Sequence, residues 1–90
     1  MRRVVWKYHL SRGRGVDVLE LPGGASFVRA DMQEGIICIW FLVDRDEPKV
    51  ERRFSVYGTG QDVPDTANYV GTVMDGPFVW HVFERLEPHA

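Results

Sequence analysis

The stretch Tyr57-Gly58-Thr59-Gly60-Gln61-Asp62 gathers the residues of this chain best suited to holding a small ligand. Glycines let backbone N–H groups approach an anion closely, and the Thr59 hydroxyl adds a donor. The lysine and following helix of a P-loop are missing, and the same residues also read as a plain glycine turn leaving a strand. Arg52 and Arg53 lie just upstream. On a strand they face opposite ways, so one can reach a phosphate near the loop while the other is merely solvated. Tyr57 and Tyr69 flank the irregular segment 58–68 and offer rings on which a base can stack beside an arginine. The candidate ligand-binding residues are therefore Arg53, Tyr57, Gly58, Thr59, Gly60 and Tyr69.

His81 is the one residue suited to acid–base work. A catalytic histidine wants a carboxylate to orient it and a nucleophile beside it. Asp62, Asp65, Ser55 and Thr72 are available, but no spacing ties them to His81, and a satisfied core or interface histidine is the preferred reading. His9, His81 and His89 are scattered around a single cysteine, Cys38, so no zinc spacing exists. No catalytic residue, metal ligand or cofactor is expected.

The elements that must position these residues are strands. The run Ile36-Ile37-Cys38-Ile39-Trp40-Phe41-Leu42-Val43 is apolar throughout, and its eight residues are too few to cross a membrane as a helix. Bounded by the Gln33-Glu34-Gly35 turn and the charged loop 44–50, it reads as a strand covered on both faces. Residues 4–10 alternate, with Val4, Trp6, Tyr8 and Leu10 on one side and Val5, Lys7 and His9 on the other. A polar turn at 11–15 leads to a strand at 16–21, and Pro22-Gly23-Gly24 to one at 25–32. There Phe27 and Arg29 are expected on one face, with Val28 and Ala30 on the other. The strands at 25–32 and 36–43 should form a hairpin. Residues 51–57 alternate with Phe54 and Val56 inward and Arg53, Ser55 and Tyr57 outward. Pro64 to Asn68 can take a short helical turn, followed by strands at 69–74 and 78–84 and a polar tail from Arg85. Seven short strands without helical periodicity predict an all-β, antiparallel sandwich or barrel in a single domain spanning residues 1–90.

Length and charge bound the partners. The 90 residues carry a net charge of −2, which gives no strongly basic face for general nucleic-acid binding, although Arg2, Arg3 and Lys7 cluster, as do Arg12 and Arg14. The basic start Met1-Arg2-Arg3-Val4-Val5-Trp6-Lys7 lacks a long apolar core, so neither a signal peptide nor a membrane partner is expected. One buried thiol fits a reducing cytoplasm. The strands at 36–43 and 78–84 are apolar on both faces, which favours a homo-oligomer with Trp40, Phe41, Trp80 and Phe83 at its interface, or else a monomer core that absorbs all four.

Several motifs together carry a resemblance. Trp6-Lys7-Tyr8, Leu21-Pro22-Gly23-Gly24-Ala25, Tyr57-Gly58-Thr59-Gly60, Tyr69-Val70-Gly71-Thr72-Val73 and Trp80-His81-Val82-Phe83 resemble, in the same order, motifs of a group of small phage and prophage proteins. The resemblance covers almost the whole chain. It implies a virus-encoded protein of the host-cell cytoplasm and supplies context, not mechanism. Joined to the glycine loop, tyrosines and arginines, it gives the leading expectation: a non-enzymatic binder that counters host antiviral defence by sequestering a small, for example cyclic, nucleotide signal. The alternative is a protein-interaction module, with the acidic loop 44–51 as a contact, that inhibits a host enzyme or serves in virion assembly. A third reading, an enzyme acting through His81, requires a nucleophile within hydrogen-bond reach of that ring.

Overall fold

Alternation decides the first strand. In a computed structural model, which describes residues 2–12 and 15–86, strand β1 (Arg3–Leu10) turns Val4, Trp6, Tyr8 and Leu10 inward, as its period-two pattern requires. It is followed by β2 (Asp17–Pro22), β3 (Ser26–Gln33), β4 (Ile36–Asp44), β5 (Lys49–Gly58), β6 (Ala67–Asp75) and β7 (Phe78–Arg85). All pairings are antiparallel, in a three-stranded sheet of order β1-β4-β3 and a four-stranded sheet of order β2-β5-β7-β6. The fold is an all-β sandwich. Among the described residues no helix is long and apolar enough to cross a membrane. Gly13, Arg14 and residues 87–90, parts of the expected 11–15 turn and polar tail, lie outside the described residues.

The two strands that are apolar on both faces each occupy the middle of a sheet. Ile37, Ile39, Phe41 and Val43 of β4 are at most 1% exposed and meet Phe54, Val56, Val73 and Val82 of the other sheet. Tyr8, Phe27 and Phe54 surround Phe41 with ring centroids 6.0, 6.5 and 5.7 Å away. Of the four residues expected at an interface or in the core, Phe41 is core and Trp80 packs against it, its indole N–H donating to Asp75 at 3.0 Å. Trp40 and Phe83 are half-buried on the two opposite outer faces.

The β3–β4 hairpin forms as expected around Glu34 and Gly35, both at positive φ (51° and 78°), the requirement of a type I′ turn. Within β3 the expected alternation fails. A bulge between Phe27 and Arg29 inserts one residue, so Phe27 and Ala30 both pair with inward residues, Phe41 and Ile39, while Arg29 faces out opposite Trp40. Phe27 thereby reaches Gly71 of β6, where a Cβ would lie 3.0 Å from its ring. A methyl group there would push the Phe27 ring back by a few tenths of an ångström. Two further expectations need correction. Residues 64–67 close a single turn, with Ala67 N–H donating to the Pro64 carbonyl at 3.0 Å, and it stops short of Asn68 because β6 starts at Ala67, where a sheet partner on β7 is in reach. Arg85 is not tail but the last residue of β7, paired with Arg53 on one side and Ala67 on the other.

One ion pair lies between the sheets. Arg52 points inward and grips Glu84 with two bonds, Nε to Oε2 at 2.7 Å and Nη2 to Oε1 at 2.8 Å, while Nη1 donates to the Ala25 carbonyl at 2.7 Å. Its guanidinium carbon sits 5.5 and 5.7 Å from the centroids of Phe41 and Phe54. The bonds to Glu84 hold the guanidinium pKa above its usual value against the opposing effect of burial. Arg52→Leu should cost about 3 kcal/mol in urea denaturation, because Glu84 is stranded, and Arg52→Leu with Glu84→Leu should recover most of that loss.

Asp75 ties the end of the sandwich by accepting from Trp80 and, at 2.8 Å, from Arg12. These donors, Trp80 first, depress its pKa. A carboxylate favoured in the folded state stabilises above the ordinary carboxylate pKa, and its contribution disappears as pH falls through that range and below. The gap in urea midpoint between the natural chain and Asp75→Asn should therefore be larger at pH 7 than at pH 3.

Candidate functional site

Because Phe54 and Val56 are core, Arg53, Ser55 and Tyr57 must face outward on β5. The register brings Arg85, Phe83 and His81 of β7 directly opposite them, in that order. On β6, Tyr69 pairs with Phe83 and Thr72 with His81. Residues three apart on a regular strand face opposite ways, and it is the bulge between Tyr69 and Gly71 that puts Tyr69 and Thr72 on the same face. The outer face of the four-stranded sheet thus carries three rows: Arg53–Arg85, then Ser55–Phe83–Tyr69, then Tyr57–His81–Thr72.

Phe83 stands between the two tyrosines. Its centroid is 5.6 Å from both Tyr57 and Tyr69, with interplanar angles of 80° and 72°, so both contacts are edge-to-face. Tyr69 remains 60% exposed. Beyond the rings, a chain of hydrogen bonds runs across the sheet. Thr59 Oγ1 is 2.9 Å from His81 Nε2, His81 Nδ1 is 3.2 Å from Thr72 Oγ1, and Thr72 Oγ1 is 2.7 Å from the Tyr69 hydroxyl. A nucleophile-type hydroxyl within reach of His81, which the enzyme reading required, is therefore present.

The glycine loop is closed on itself. Gly58 N–H donates to the Gln61 side-chain carbonyl, and Gln61 N–H donates to the Gly58 carbonyl at 3.1 Å. Two of the N–H groups expected to meet an anion are thus already engaged, and the Thr59 hydroxyl is on His81. Arg52 is turned inside, leaving Arg53 as the outward arginine, 3.7 Å from Glu51. Arg85 Nη1 donates to Ser55 Oγ at 3.3 Å, and that hydroxyl donates to the Gly15 carbonyl at 2.9 Å. A shallow cleft of about 250 Å³ lies here, lined by Ser55, Tyr57, Gln61, Asp62 and Arg85 among others. A second, of about 430 Å³, opens past Thr59 toward Phe78 and Trp80, whose rings stack at 5.9 Å. Among the described residues no group of histidines, cysteines and carboxylates could hold a metal ion.

The structure therefore unites Arg53, Tyr57, Thr59 and Tyr69 on one face and adds three residues that the candidate set lacked: Phe83, Arg85 and His81. The signal for them was parity, since 81, 83 and 85 share a face of any regular strand. What the sequence did not show is which face that is, nor that it meets the outer side of β5.

No curated protein and no solved structure matches the chain. A family model described as "Domain of unknown function (DUF7352)" matches residues 1–90.

The Gln61 side chain is one of the two ties that close the loop, and the one that engages the Gly58 amide. Gln61→Ala should free the Gly58 amide and speed its hydrogen exchange by roughly five- to tenfold, the equivalent of about 1 kcal/mol for one hydrogen bond, with amides in mid-β5 unchanged.

Proposed function

With the chain belonging to the DUF7352 family over its whole length, we propose that it is a non-enzymatic binding protein that sequesters a small nucleotide, cyclic forms included. The observation that carries this reading is the direct opposition of Arg53 and Arg85 across β5 and β7, one row from the Tyr57–Phe83–Tyr69 cluster. Two arginines opposite one another on neighbouring strands attract phosphate oxygens, and aromatic rings one row away suit a base. Along a strand the two rows are separated by about 7 Å, the reach between phosphate and base in one nucleotide. Asp62 in the cleft and Glu51 beside Arg53 favour a ligand with few negative charges. In the viral setting implied by the motif resemblance, such a protein acts in the host cytoplasm and withholds a nucleotide signal from antiviral defence. The clefts are open, and a second copy of the chain packed on this face would deepen them, which supports a homo-oligomer.

A second reading draws on a different observation. Tyr69, Met74 and Phe78 are 60%, 65% and 58% exposed along β6 and its turn to β7. Exposed apolar surface of this kind suits a protein partner, either a host enzyme to be inhibited or a virion component.

Mass spectrometry of small molecules released on heating the purified protein, with its native mass, separates the two readings. The leading one expects a released nucleotide, an oligomeric mass, and at least tenfold weaker binding in Arg53→Ala and Tyr57→Ala. Charge reversal at Asp44 and Asp46 should leave nucleotide binding unchanged. If no nucleotide, cyclic or linear, binds at micromolar concentration, the leading reading is wrong.

A further inference from the structure

The chain Thr59–His81–Thr72–Tyr69 has a property that no single member has. Each hydroxyl has one proton to give, and a neutral imidazole has one N–H and one bare nitrogen. If the proton is on Nδ1, it points to Thr72, Thr72 donates to Tyr69, and the Tyr69 O–H is free to point outward. Nε2 must then accept from Thr59, whose proton is used up. If the proton is on Nε2, the order reverses: Thr59 is free to donate outward, while Tyr69 donates to Thr72 and Thr72 to Nδ1. A neutral His81 thus leaves one outward donor, at one end or the other. A protonated His81 donates to both threonines, and both ends, the Thr59 and Tyr69 hydroxyls, become outward donors at once.

We propose that ligand capture on this face is coupled to proton uptake by His81, and that the ligand presents hydrogen-bond acceptors to both Thr59 and Tyr69. This rests on the nucleotide-binding reading and deepens it by stating the chemistry of the ligand: an anion with acceptor oxygens or ring nitrogens at two points, held at both ends of the relay. The geometry supports it. Both ring nitrogens are on hydroxyls that can accept as readily as donate, so the protonated ring keeps all its partners. Thr59, Thr72 and Tyr69 are exposed and their free protons can face solvent. The ionisable groups facing His81 are Tyr57 opposite it on β5 and Tyr69 at the end of the relay on β6. Arg85 lies four residues along β7 and pairs with Arg53, and Asp62 sits in the loop after β5. An anion arriving among these groups adds the negative charge that favours an imidazolium.

The test is affinity as a function of pH, between 5.5 and 8, using cyclic mononucleotides and cyclic dinucleotides. Their phosphodiesters do not titrate in that range, whereas an imidazole does. Binding by the natural chain should tighten about tenfold from pH 8 to pH 5.5, as expected for one added charge-assisted hydrogen bond. Calorimetry in buffers of different ionisation heat should register proton uptake on binding at pH 7. His81→Gln should bind with no pH dependence. Tyr69→Phe keeps the ring and the histidine but moves the outer end of the relay back to Thr72, away from the ligand position at Tyr69, so its pH slope should be clearly shallower than that of the natural chain. Circular dichroism confirms that each variant is folded. A flat profile in the natural chain with binding present overturns the coupling and leaves nucleotide capture standing, as does an undiminished pH slope in Tyr69→Phe. No binding by any probe at either pH overturns both.

Discussion

Arg52 is a permanent cation placed between two hydrophobic sheets, and the structure tolerates it only in one arrangement. The guanidinium needs a carboxylate in its own plane, and Glu84 on the neighbouring strand supplies both oxygens. It needs a further acceptor, and the Ala25 carbonyl, just before β3, supplies that. Phe41 and Phe54 then pack close to it. A slip of β5 against β7 by one residue would send Arg52 to water and Arg53 into the core, leaving Glu84 buried without a cation. Such a slip costs several kcal/mol, far more than a surface ion pair could enforce.

The outer face follows from this inner one. With Arg52 and Glu84 held inside, period two allows no choice for their neighbours: Arg53, Ser55 and Tyr57 on one strand, and Arg85, Phe83 and His81 on the other, must face out and must stand opposite one another. The candidate site is the reverse side of the ion pair. This is why a substitution at a partly buried, inward-facing position, Glu84, bears on residues that lie on the opposite face of its strand.

The two outer faces are finished differently. On the three-stranded sheet, Trp40 lies in a row between Lys7 and Arg29. Lys7 of β1 bonds Gln33 of β3 across the apolar strand, Arg29 pairs with Asp31 along β3 at 2.6 Å, and Cys38 is 1% exposed. Among the described residues, the centre of the four-stranded sheet carries His81 and Phe83 beside tyrosine rings and threonine hydroxyls, side chains that offer aromatic surface and several donors to a partner. The difference concentrates recognition chemistry on one side.

The sequence made the sandwich legible because its signals are local: alternation in β1 and β5, an apolar run in β4, and turn residues between strands. The bulges in β3 and β6 carry no local signal, since one extra residue in a strand looks like strand. They reversed the faces of Arg29 and Ala30 relative to Phe27 and decided that Tyr69 joins Thr72. The Thr59–His81 contact joins residues 22 apart through the order β5-β7-β6, in which β7 is inserted between strands that precede it, and no spacing rule encodes that insertion.

That contact also bears on the choice between binding and catalysis. For His81 to take the Thr59 proton in a reaction, an imidazolium must form beside Thr59, and a triad stabilises that charge with a carboxylate on the second ring nitrogen. Here the second nitrogen faces the Thr72 hydroxyl, a neutral group that can turn to accept but brings no compensating charge. A hydroxyl partner suits a ring that gains its proton from solvent and loses the cost of that charge to an incoming anion. It does little for a ring that must pull a proton from an alcohol of far higher pKa with no anion yet bound. The relay is thus better matched to sensing a negatively charged ligand than to making a nucleophile, and it favours the non-enzymatic reading even though a hydroxyl lies within reach.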